Sequence, residues 1–405
     1  MIDLIGWVPY YRIMTNRESP YKSYLQARQT HGLRRSLRDV RQIDATTLLY
    51  EGQKYLNFSS NDYLGLSHHP ELAKRGCEWA QNFGSGSGAS RLVTGNINLF
   101  SEVEAKIAKF KNVEAVTILA SGFQANATVL HALFSKTVLG AEPLIFADEL
   151  IHASMHFGCW AARTPYKRYR HLDMAHLQSL LEDSKDNAQP RFILSETVFS
   201  MDGDCASLEE LRALADHYDA TIILDDAHAF GILGEGGRGL SDLGDITIGT
   251  FSKGMGSFGA YVTSSETVRD YLINRCSGLI YSTGLPPSIL GSIDAALDLV
   301  PGMDSERERV SNYADKLRSA LNDMDIDTGG STTQIVPVIV GSARAALGLG
   351  EALRVADIWA VPIRPPTVPD GTARLRIVIN AAHRAEHIDH LISVIGVWNR
   401  QQRAA

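Results

Sequence analysis

The segment SLEELRALADHYDATIILDDAH, residues 207–228, contains a helix pattern followed at once by a strand pattern. Ser207 and Glu210 have the spacing of a capping box, which predicts that a helix covers residues 208–218. The apolar run over residues 221–224 predicts a short buried strand. A helix that leads directly into a buried strand is typical of an α/β protein with a largely parallel sheet.

Similar apolar runs on both sides of this segment predict further strands of the same sheet. Gly, Pro and Asp bound these runs, and amphipathic segments lie between them. The alternation of strands with helices indicates an α/β architecture with a mostly parallel sheet. The further strands are predicted over residues 116–119, 144–147, 192–194 and 246–249.

The C-terminal part of the chain has a different pattern. A polar helix is predicted over residues 303–324, and residues 334–340 and 373–379 then alternate like strands of a smaller antiparallel sheet. Residues 389–397 have the periodicity of a closing helix. We therefore predict an N-terminal segment over residues 1–56, a large α/β domain over residues 57–302 and a small α+β domain over residues 303–405.

The composition argues against several classes of protein. The 405 residues include 39 Lys and Arg against 46 Asp and Glu, and a net charge of −7 is not that of a nucleic-acid binder. No apolar run reaches about 18 residues, so we expect no membrane-spanning helix. Four separated cysteines without a CxxC pair predict reduced thiols in a cytoplasmic protein. Residues 1–18 lack the basic start of a secretory signal and are expected to form an arm.

Two motif-like features do not fit their usual context. Residues 84–89 have the spelling of a dinucleotide fingerprint, but they follow a predicted helix over residues 71–83 instead of a strand. His152 and His156 are one helical turn apart, but they lack the glutamate or third ligand of a zinc hydrolase. We therefore predict neither a nicotinamide cofactor nor a metal site.

Three segments that follow predicted strands carry residues suited to chemistry. Residues 121–126 (SGFQAN) open a helix, whose free N–H groups and dipole suit a phosphate. Residues 223–228 (ILDDAH) place two carboxylates and an imidazole at a strand end, where open α/β sheets bind ligands. A Walker B strand is the competing interpretation, but no Walker A sequence occurs. Residues 250–256 place Lys253 among small and hydroxyl residues, and a sheltered lysine becomes a nucleophile or a base.

A phosphate loop, an acid at a strand end and a lysine after a later strand form the set that pyridoxal phosphate requires. The acid keeps the pyridine nitrogen protonated, so that the ring can accept electrons, and the lysine forms a Schiff base. The helix N-terminus and the hydroxyl groups hold the phosphate. The sequence therefore predicts pyridoxal phosphate as the cofactor.

These segments, in this order, resemble the α-oxoamine synthases, which belong to the fold-type I pyridoxal phosphate enzymes. The resemblance extends from about residue 19 to residue 395. It implies a large domain with a mostly parallel sheet, a smaller α+β domain, and an active site at the interface of a homodimer. Besides the segments above, it includes residues 57–66 (NFSSNDYLGL), 199–204 (FSMDGD), 281–283 (YST) and 363–376 (IRPPTVPDGTARLR).

The resemblance implies a role in cofactor binding for each of several residues. Lys253 would form the Schiff base, Asp225 would pair with the pyridinium nitrogen, and His152 would stack on the ring; these three are the expected catalytic residues. The other implied cofactor contacts are Ser200 and His228 near the phenolic oxygen, the N–H groups of Gly122 and Phe123 and the Thr250 hydroxyl at the phosphate, and Thr283, which would reach the phosphate of the neighbouring subunit.

The resemblance also implies substrate contacts, in which His152 takes part. Arg376 and Asn61 would receive the carboxylate of an amino acid, and Arg374, on the same strand face, is the competing arginine. The implied contacts of the acyl substrate are Arg34, for which the adjacent Arg35 is an alternative, and Thr367. Glu196, at the end of a predicted strand, is a further candidate.

The reaction implied by the resemblance is a condensation of an amino acid with an acyl thioester, with loss of carbon dioxide. Residues 363–376 favour L-alanine and a pimeloyl thioester of coenzyme A or of an acyl carrier protein. A sister synthase that uses glycine or serine would keep the same catalytic residues. An aminotransferase would need a returning keto acid, and a cofactor-binding transcriptional regulator would need a helix-turn-helix domain and a basic surface, neither of which is found.

The sequence departs from the family directly after His228. Family members carry a small pair such as Gly-Thr there, whereas this chain has Ala229 and Phe230. A large ring at this place is expected to reshape the wall near the cofactor and so to affect the choice of acyl chain.

Overall fold

The computed structural model describes residues 17–30 and 33–404; most of the predicted N-terminal arm, residues 1–16, lies outside the described residues. The strands are β1 (Arg41–Gln42), β2 (Thr47–Tyr50), β3 (Gln53–Asn57), β4 (Ala115–Leu119), β5 (Leu144–Asp148), β6 (Lys167–Tyr169), β7 (Arg191–Glu196), β8 (Ala220–Asp225), β9 (Ile246–Thr250), β10 (Ala260–Ser264), β11 (Ile335–Gly341), β12 (Ile358–Trp359), β13 (Pro362–Ile363) and β14 (Ala373–Val378).

The helices alternate with these strands through most of the chain. They are α1 (Ser19–Thr30), α2 (Pro70–Phe83), α3 (Asn98–Lys111), α4 (Gly122–Leu133), α5 (Lys136–Leu139), α6 (Ala153–Ala161), α7 (Met174–Glu182), α8 (Leu208–His217), α9 (Glu266–Arg275), α10 (Ser277–Ile280), α11 (Pro287–Leu299), α12 (Asp304–Asp323), α13 (Ala343–Val355) and α14 (Ala385–Ala404).

The largest sheet has seven strands in the order β4-β10-β9-β8-β7-β5-β6. Strands β6, β5, β7, β8 and β9 run parallel, and β10 is antiparallel to both of its neighbours. The strands predicted over residues 116–119, 144–147, 192–194, 221–224 and 246–249 are confirmed inside β4, β5, β7, β8 and β9. Both faces of the central strands are buried, which explains their continuous apolar runs.

Sequence reasoning missed two strands of this sheet and was wrong about one helix cap. Strand β6 has three residues at the sheet edge, and β10 (AYVTS) includes Tyr, Thr and Ser, so neither has a continuous apolar run. Helix α8 begins at Leu208 as predicted, but the Ser207 side chain makes no capping hydrogen bond. The capping box is therefore absent, and Glu209 and Glu210 stabilise the helix start through its dipole instead.

The C-terminal elements match the predicted α+β pattern. Helix α12 covers nearly the predicted residues, and β11 and β14 pair antiparallel as expected, with β13 added on the other side of β14. The closing helix is longer than predicted and extends over Ala385–Ala404. The domain boundaries after residues 56 and 302 stay a prediction.

The N-terminal segment shares a sheet with the C-terminal part of the chain. Strands β1, β2 and β3 form an antiparallel ribbon, and β12 pairs with β3 in parallel. Leu56 lies opposite Ile358, and Asn57 lies opposite Trp359. The segment that leads to the predicted active-site residues after Asn57 is thus fixed by a strand from the end of the chain.

The expectation that Phe230 reshapes the wall near the cofactor is wrong. Its side chain is fully buried in the core, where it packs against the rings of Phe110, Phe251 and Tyr261. The Lys111 ammonium lies 5.1 Å from the centre of the Phe230 ring. The large side chain at this position therefore fills the core beneath the sheet.

We expect Phe230→Ala to lower the free energy of unfolding by about 3–5 kcal/mol, because truncation of a fully buried ring removes its contacts and leaves a cavity. Urea denaturation followed by circular dichroism measures this change. Val355→Ala, at a side chain that is 77% exposed, is the control and should change the value by less than about 0.5 kcal/mol. A loss below about 1 kcal/mol for Phe230→Ala would contradict the core position of this ring.

Candidate active site

The predicted site residues meet where the parallel strands of the large sheet end. Asp225 is the last residue of β8, and Thr250 is the last residue of β9. His152 follows β5, Ser200 follows β7, and Lys253 follows β9 after a short loop. The carboxyl ends of parallel strands lie at one edge of a sheet, which is where open α/β sheets bind ligands.

A chain of hydrogen bonds runs from the predicted lysine to the predicted carboxylate-binding arginine. Lys253 Nζ lies 2.8 Å from His228 Nε2, and His228 Nδ1 lies 2.5 Å from the Tyr63 hydroxyl. The Tyr63 hydroxyl lies 3.4 Å from Asn61 Oδ1. The same Asn61 oxygen accepts a hydrogen bond of 2.8 Å from Arg376 Nη1. The structure thus brings Lys253, His228, Asn61 and Arg376 together, through a tyrosine that sequence reasoning missed.

Within this series of hydrogen bonds, burial favours the neutral forms of the Lys253 amine and the His228 ring. Burial lowers the pKa of Lys253 to about 8, against the opposing charges of Asp225 and Glu196. Burial, followed by the charge of Lys253, holds the pKa of His228 well below its ordinary value. A neutral His228 ring accepts from Lys253 at Nε2 and donates from Nδ1 to Tyr63, so the hydrogen bonds have one consistent direction.

The Asp225 carboxylate is buried and held in a fixed orientation. Its Oδ2 accepts a 2.6 Å hydrogen bond from Asn126 Nδ2, and its Oδ1 accepts from the N–H of Ala227. Asn126 also donates to the Ser154 hydroxyl, which lies 2.6 Å from His152 Nδ1. Asp225 and the predicted stacking residue His152 are therefore linked through two polar side chains.

A place for a phosphate lies beside this network, at the start of α4. Ser121 caps the helix by accepting from the N–H of Gln124, while the first-turn N–H groups of Gly122 and Phe123 have no acceptor within the helix. Thr250 is adjacent, since a Cβ placed on Gly122 would lie 3.8 Å from Thr250 Cβ. The Thr250 hydroxyl donates to the Gly259 carbonyl, so it would have to turn away from that carbonyl to donate to a phosphate.

The two candidate arginines on β14 have different surroundings. Arg374 forms an ion pair with Asp202 and hydrogen bonds with backbone carbonyls of Met201 and Thr372. Arg376 is also buried and donates from Nε to the Ser200 carbonyl. Within the described part of the chain, however, its Nη2 is buried without a hydrogen-bond partner. A buried, unpaired guanidinium nitrogen needs an acceptor, and a carboxylate is the acceptor that fits best.

Glu196 lies next to Asp225, since the two residues are opposite each other in the pairing of β7 with β8. The side chain is buried, and its Oε1 has no hydrogen-bond partner among the described residues. Burial, followed by the charge of Asp225, raises the pKa of Glu196 well above its ordinary value. Burial and the neighbouring Asp225 charge therefore favour the protonated form of Glu196.

The predicted acyl contacts lie in a separate, basic cleft of about 720 Å³. Arg34 and Thr367 both line it, but the hydrogen bond to Thr367 Oγ1, 2.8 Å long, comes from the neighbouring Arg35. Burial and the nearby charges of Arg35 and Arg28 lower the pKa of Arg364. This accumulation of positive charge suits an anionic ligand. The arginines that line the cleft are Arg28, Arg34, Arg35, Arg38, Arg354 and Arg364, against one carboxylate, Glu351.

Thr283 lies apart from the hydrogen-bonded network. It is exposed, and its backbone forms an isolated antiparallel bridge with that of Ser90. The side chain of Tyr281, two residues before it, is 83% exposed. The position at the surface is compatible with the implied contact to a neighbouring subunit.

The residues present fit pyridoxal phosphate. Asp225 offers a buried carboxylate for a protonated ring nitrogen, Lys253 offers an amine with a lowered pKa, and the start of α4 offers N–H groups for the phosphate. The described residues include no group of three or more His, Cys, Asp and Glu side chains that could hold a metal ion.

Comparison with known protein families identifies the fold and the chemistry. The family model "Aminotransferase class I and II" matches residues 53–395. The chain belongs to this aminotransferase family. Members of the family with its fold-type I architecture use pyridoxal phosphate, in agreement with the predicted cofactor.

Individual relatives place the chain more narrowly within the aminotransferase family. The 8-amino-7-oxononanoate synthase of Gluconacetobacter diazotrophicus is 49% identical over 387 residues, which are 94% of this chain and 97% of the relative. A solved structure of serine palmitoyltransferase (SPT) with pyridoxal phosphate (PLP) has a TM-score of 0.89 and 25% identity, and the match covers 97% of this chain and 100% of that chain. The 8-amino-7-oxononanoate synthase (bioF) structure from Francisella tularensis has a TM-score of 0.74 and 26% identity, and covers 86% of this chain and 98% of that chain.

The lowered pKa of Lys253 predicts how the reaction of the cofactor-free protein with pyridoxal phosphate depends on pH. Because the neutral amine is the nucleophile, the rate should rise with pH and level off above about pH 8. Stopped-flow absorbance measures the rate, and borohydride reduction followed by peptide mass spectrometry shows that Lys253 is the residue modified. Lys253→Ala is the control without uptake at this position. A rate that still rises steeply between about pH 9 and 10 would contradict the lowered pKa.

Proposed function

We propose that the protein is an 8-amino-7-oxononanoate synthase of biotin biosynthesis. In this reaction L-alanine condenses with a pimeloyl thioester, the thiol leaves, and carbon dioxide is lost. The observation that carries the proposal is the unpartnered Nη2 of buried Arg376, at the end of the hydrogen-bonded chain that begins at Lys253. The 49% identity to the Gluconacetobacter diazotrophicus synthase over nearly the whole chain supports this choice of reaction.

The amino acid binds through its carboxylate in this proposal. Arg376 Nη2 donates to one carboxylate oxygen, and Asn61, already bonded to Arg376 Nη1, fixes the plane of the guanidinium. Because Arg376 is buried, its hydrogen bonds with an anion are stronger than they would be in water. The α-carbon of the amino acid is thereby directed toward Lys253.

Lys253, supported by His228, removes the proton of the α-carbon and later returns it. Bound pyridoxal phosphate supplies an electron sink that makes this proton acidic. Lys253 Nζ is neutral above about pH 8, so it acts as the base that accepts the proton and later returns it. His228 Nε2, 2.8 Å away, accepts a hydrogen bond from the ammonium that Lys253 becomes. Asp225, oriented by Asn126, keeps a negative charge where a protonated ring nitrogen needs one.

The basic cleft binds the acyl substrate. Coenzyme A and the phosphopantetheine arm of a carrier protein are both anionic, and the cleft offers six arginines against one glutamate. Arg35 and Thr367 are joined by a hydrogen bond at this cleft, and Arg34 lines it beside them. Apolar side chains such as Leu347 and Ile363 provide a surface for a hydrocarbon chain.

A homodimer in the cytoplasm is part of the proposal. Thr283 and Tyr281 are exposed, as a contact with a neighbouring subunit requires. Phe123, Phe157 and Trp160 are large apolar side chains that are each about half exposed or more, and a second subunit would cover them. The cysteines are free, as is usual in a reducing compartment. Among the described residues, no helix has the length and hydropathy needed to cross a membrane.

A sister synthase with another amino acid is the second candidate, and one observation favours it. The structure of SPT with PLP has a TM-score of 0.89, higher than the 0.74 of the Francisella tularensis structure.

The enzyme assay distinguishes the two candidates. The purified holoenzyme is mixed with pimeloyl-coenzyme A and with L-alanine, glycine or L-serine, and carbon dioxide and the product are measured. Turnover with L-alanine at least roughly 100-fold above the other two supports the proposal. Preference for glycine or serine would assign the chain to a sister synthase.

We expect Arg376→Lys to raise the KM for L-alanine by roughly tenfold to 100-fold, because a lysine ammonium cannot replace the planar guanidinium that bonds Ser200 and Asn61 while Nη2 faces the carboxylate. Steady-state kinetics with varied L-alanine measures the effect. Arg374→Lys is the matched control on the same strand; its partner is Asp202, so the KM should change by less than about threefold. Equal effects of the two substitutions would argue against Arg376 as the carboxylate-binding residue.

A further inference from the structure

His171 connects two loops of the active site, although neither the motifs nor the predicted roles include it. It follows the edge strand β6, at the same sheet edge as the catalytic residues. His171 Nδ1 lies 3.0 Å from Asp148 Oδ1, and His171 Nε2 lies 2.9 Å from Asp204 Oδ2. The ring of Phe199 packs edge-on against the imidazole, with 4.5 Å between the ring centres.

Asp148 fixes the loop that carries His152. It is fully buried at the end of β5, and its Oδ1 accepts a 2.9 Å hydrogen bond from the N–H of Leu150. Its Oδ2 accepts from the N–H of Leu172, a residue held in the left-handed backbone region with φ of 55°. Oδ1 therefore joins the His152 side to the His171 ring, and Oδ2 holds the backbone next to His171.

Asp204 fixes the loop that carries Ser200. Its carbonyl accepts from the N–H of Phe199, whose own carbonyl accepts from the N–H of Gly203, so residues 199–204 form a tight loop. The Ser200 carbonyl in this loop accepts a hydrogen bond from Arg376 Nε. The position of Asp204 therefore determines where one end of the Arg376 guanidinium is held.

The two carboxylates require a charged imidazole between them. An ionised carboxylate can only accept hydrogen bonds, and a neutral imidazole has only one N–H donor. Because both ring nitrogens of His171 face carboxylate oxygens, both must carry a proton. Although burial opposes the charge, the hydrogen bonds with Asp148 and Asp204 raise the pKa of His171 to about 10. Glu149, whose carboxylate accepts from the backbone N–H of His171, adds a third negative charge nearby.

We propose that His171 is a positioning residue, whose protonated ring holds the His152 loop and the Ser200 loop at a fixed distance from each other. The residue itself makes no contact that the proposed reaction requires. It thereby fixes the distance between two groups of the proposed site. These are the ring of His152, which faces the cofactor, and Arg376, which receives the amino-acid carboxylate. This inference rests on the proposed function, because it assigns these two loops to one site.

The substitution that tests this role is His171→Asn, which removes the charge and one of the two donors. We expect the dissociation constant of pyridoxal phosphate to rise roughly tenfold or more and kcat to fall, as for other residues that orient binding groups. Equilibrium dialysis and the visible circular dichroism of the bound cofactor measure binding independently of turnover. His176→Asn is the matched control, since among the described residues the side chain of this nearby histidine accepts one hydrogen bond, from the backbone N–H of Arg170. It should leave the dissociation constant within about twofold.

The pH dependence of the unfolding free energy distinguishes a charged His171 bridge from a role of this side chain in packing alone. The folded-state pKa of His171 is above its ordinary value, so the stability that the bridge contributes is complete below the ordinary pKa and is lost as pH rises toward about 10. The difference in unfolding free energy between the wild type and His171→Asn should therefore be largest near pH 6 and shrink toward pH 10. A difference that is constant over this range would contradict a protonated ring.

A second variant covers the case in which His171→Asn does not fold. Asp204→Asn leaves the His171–Asp148 pair intact and weakens only the link to the Ser200 loop. We expect this variant to raise the KM for L-alanine roughly tenfold, with a smaller change in cofactor binding. Wild-type cofactor binding and kinetics in a folded variant would overturn the positioning role. Failure of the wild-type protein itself to bind the cofactor or to turn over L-alanine would instead overturn the proposed function.

Discussion

The buried carboxylate of Asp225 is the constraint on which the arrangement of the site depends. A carboxylate that is only 7% exposed is costly unless hydrogen bonds and a positive charge compensate it. Asn126 and the N–H of Ala227 supply the hydrogen bonds, but both donors are neutral. The protein therefore presents a buried carboxylate whose hydrogen-bond donors carry no charge, which is what a protonated pyridine ring needs from its binding site.

The ionisable neighbours of Asp225 have pKa values shifted by burial. Burial raises the pKa of Glu196, in the adjacent strand, and lowers the pKa of His228, so it favours the uncharged form of both side chains. Lys253 has a lowered pKa and can lose its proton near neutral pH. The charge on Arg376 is placed where it can bind a carboxylate, and the charge at the His171 bridge is placed where it holds two loops. Burial and neighbouring groups thus lower the pKa of His228, raise the pKa of His171, and bring the pKa of Lys253 to about 8.

The sequence predicted the α/β fold, the central strands and the meeting of Asp225, His228 and Lys253 at one sheet edge. These inferences succeeded because they depend on local patterns and on the geometry of parallel strands. Asn126, Tyr63 and His171 were not found, because their partners lie many residues away along the chain. Phe230 was misplaced for the same reason: its neighbours Phe110 and Tyr261 come from distant elements. Sequence spacing gives no measure of such contacts.

The pairing of β3 with β12 has a consequence for synthesis on the ribosome. Leu56 and its partner Ile358 are roughly 300 residues apart, so β3 remains an unpaired sheet edge until most of the chain has emerged. An exposed strand edge is a site of incorrect pairing, and only two residue pairs finally cover it. The region that begins with Asn57 and includes Asn61 and Tyr63 therefore acquires its final position late. The large sheet, whose strands are contributed by the middle of the chain, can form before the substrate-binding residues are in place.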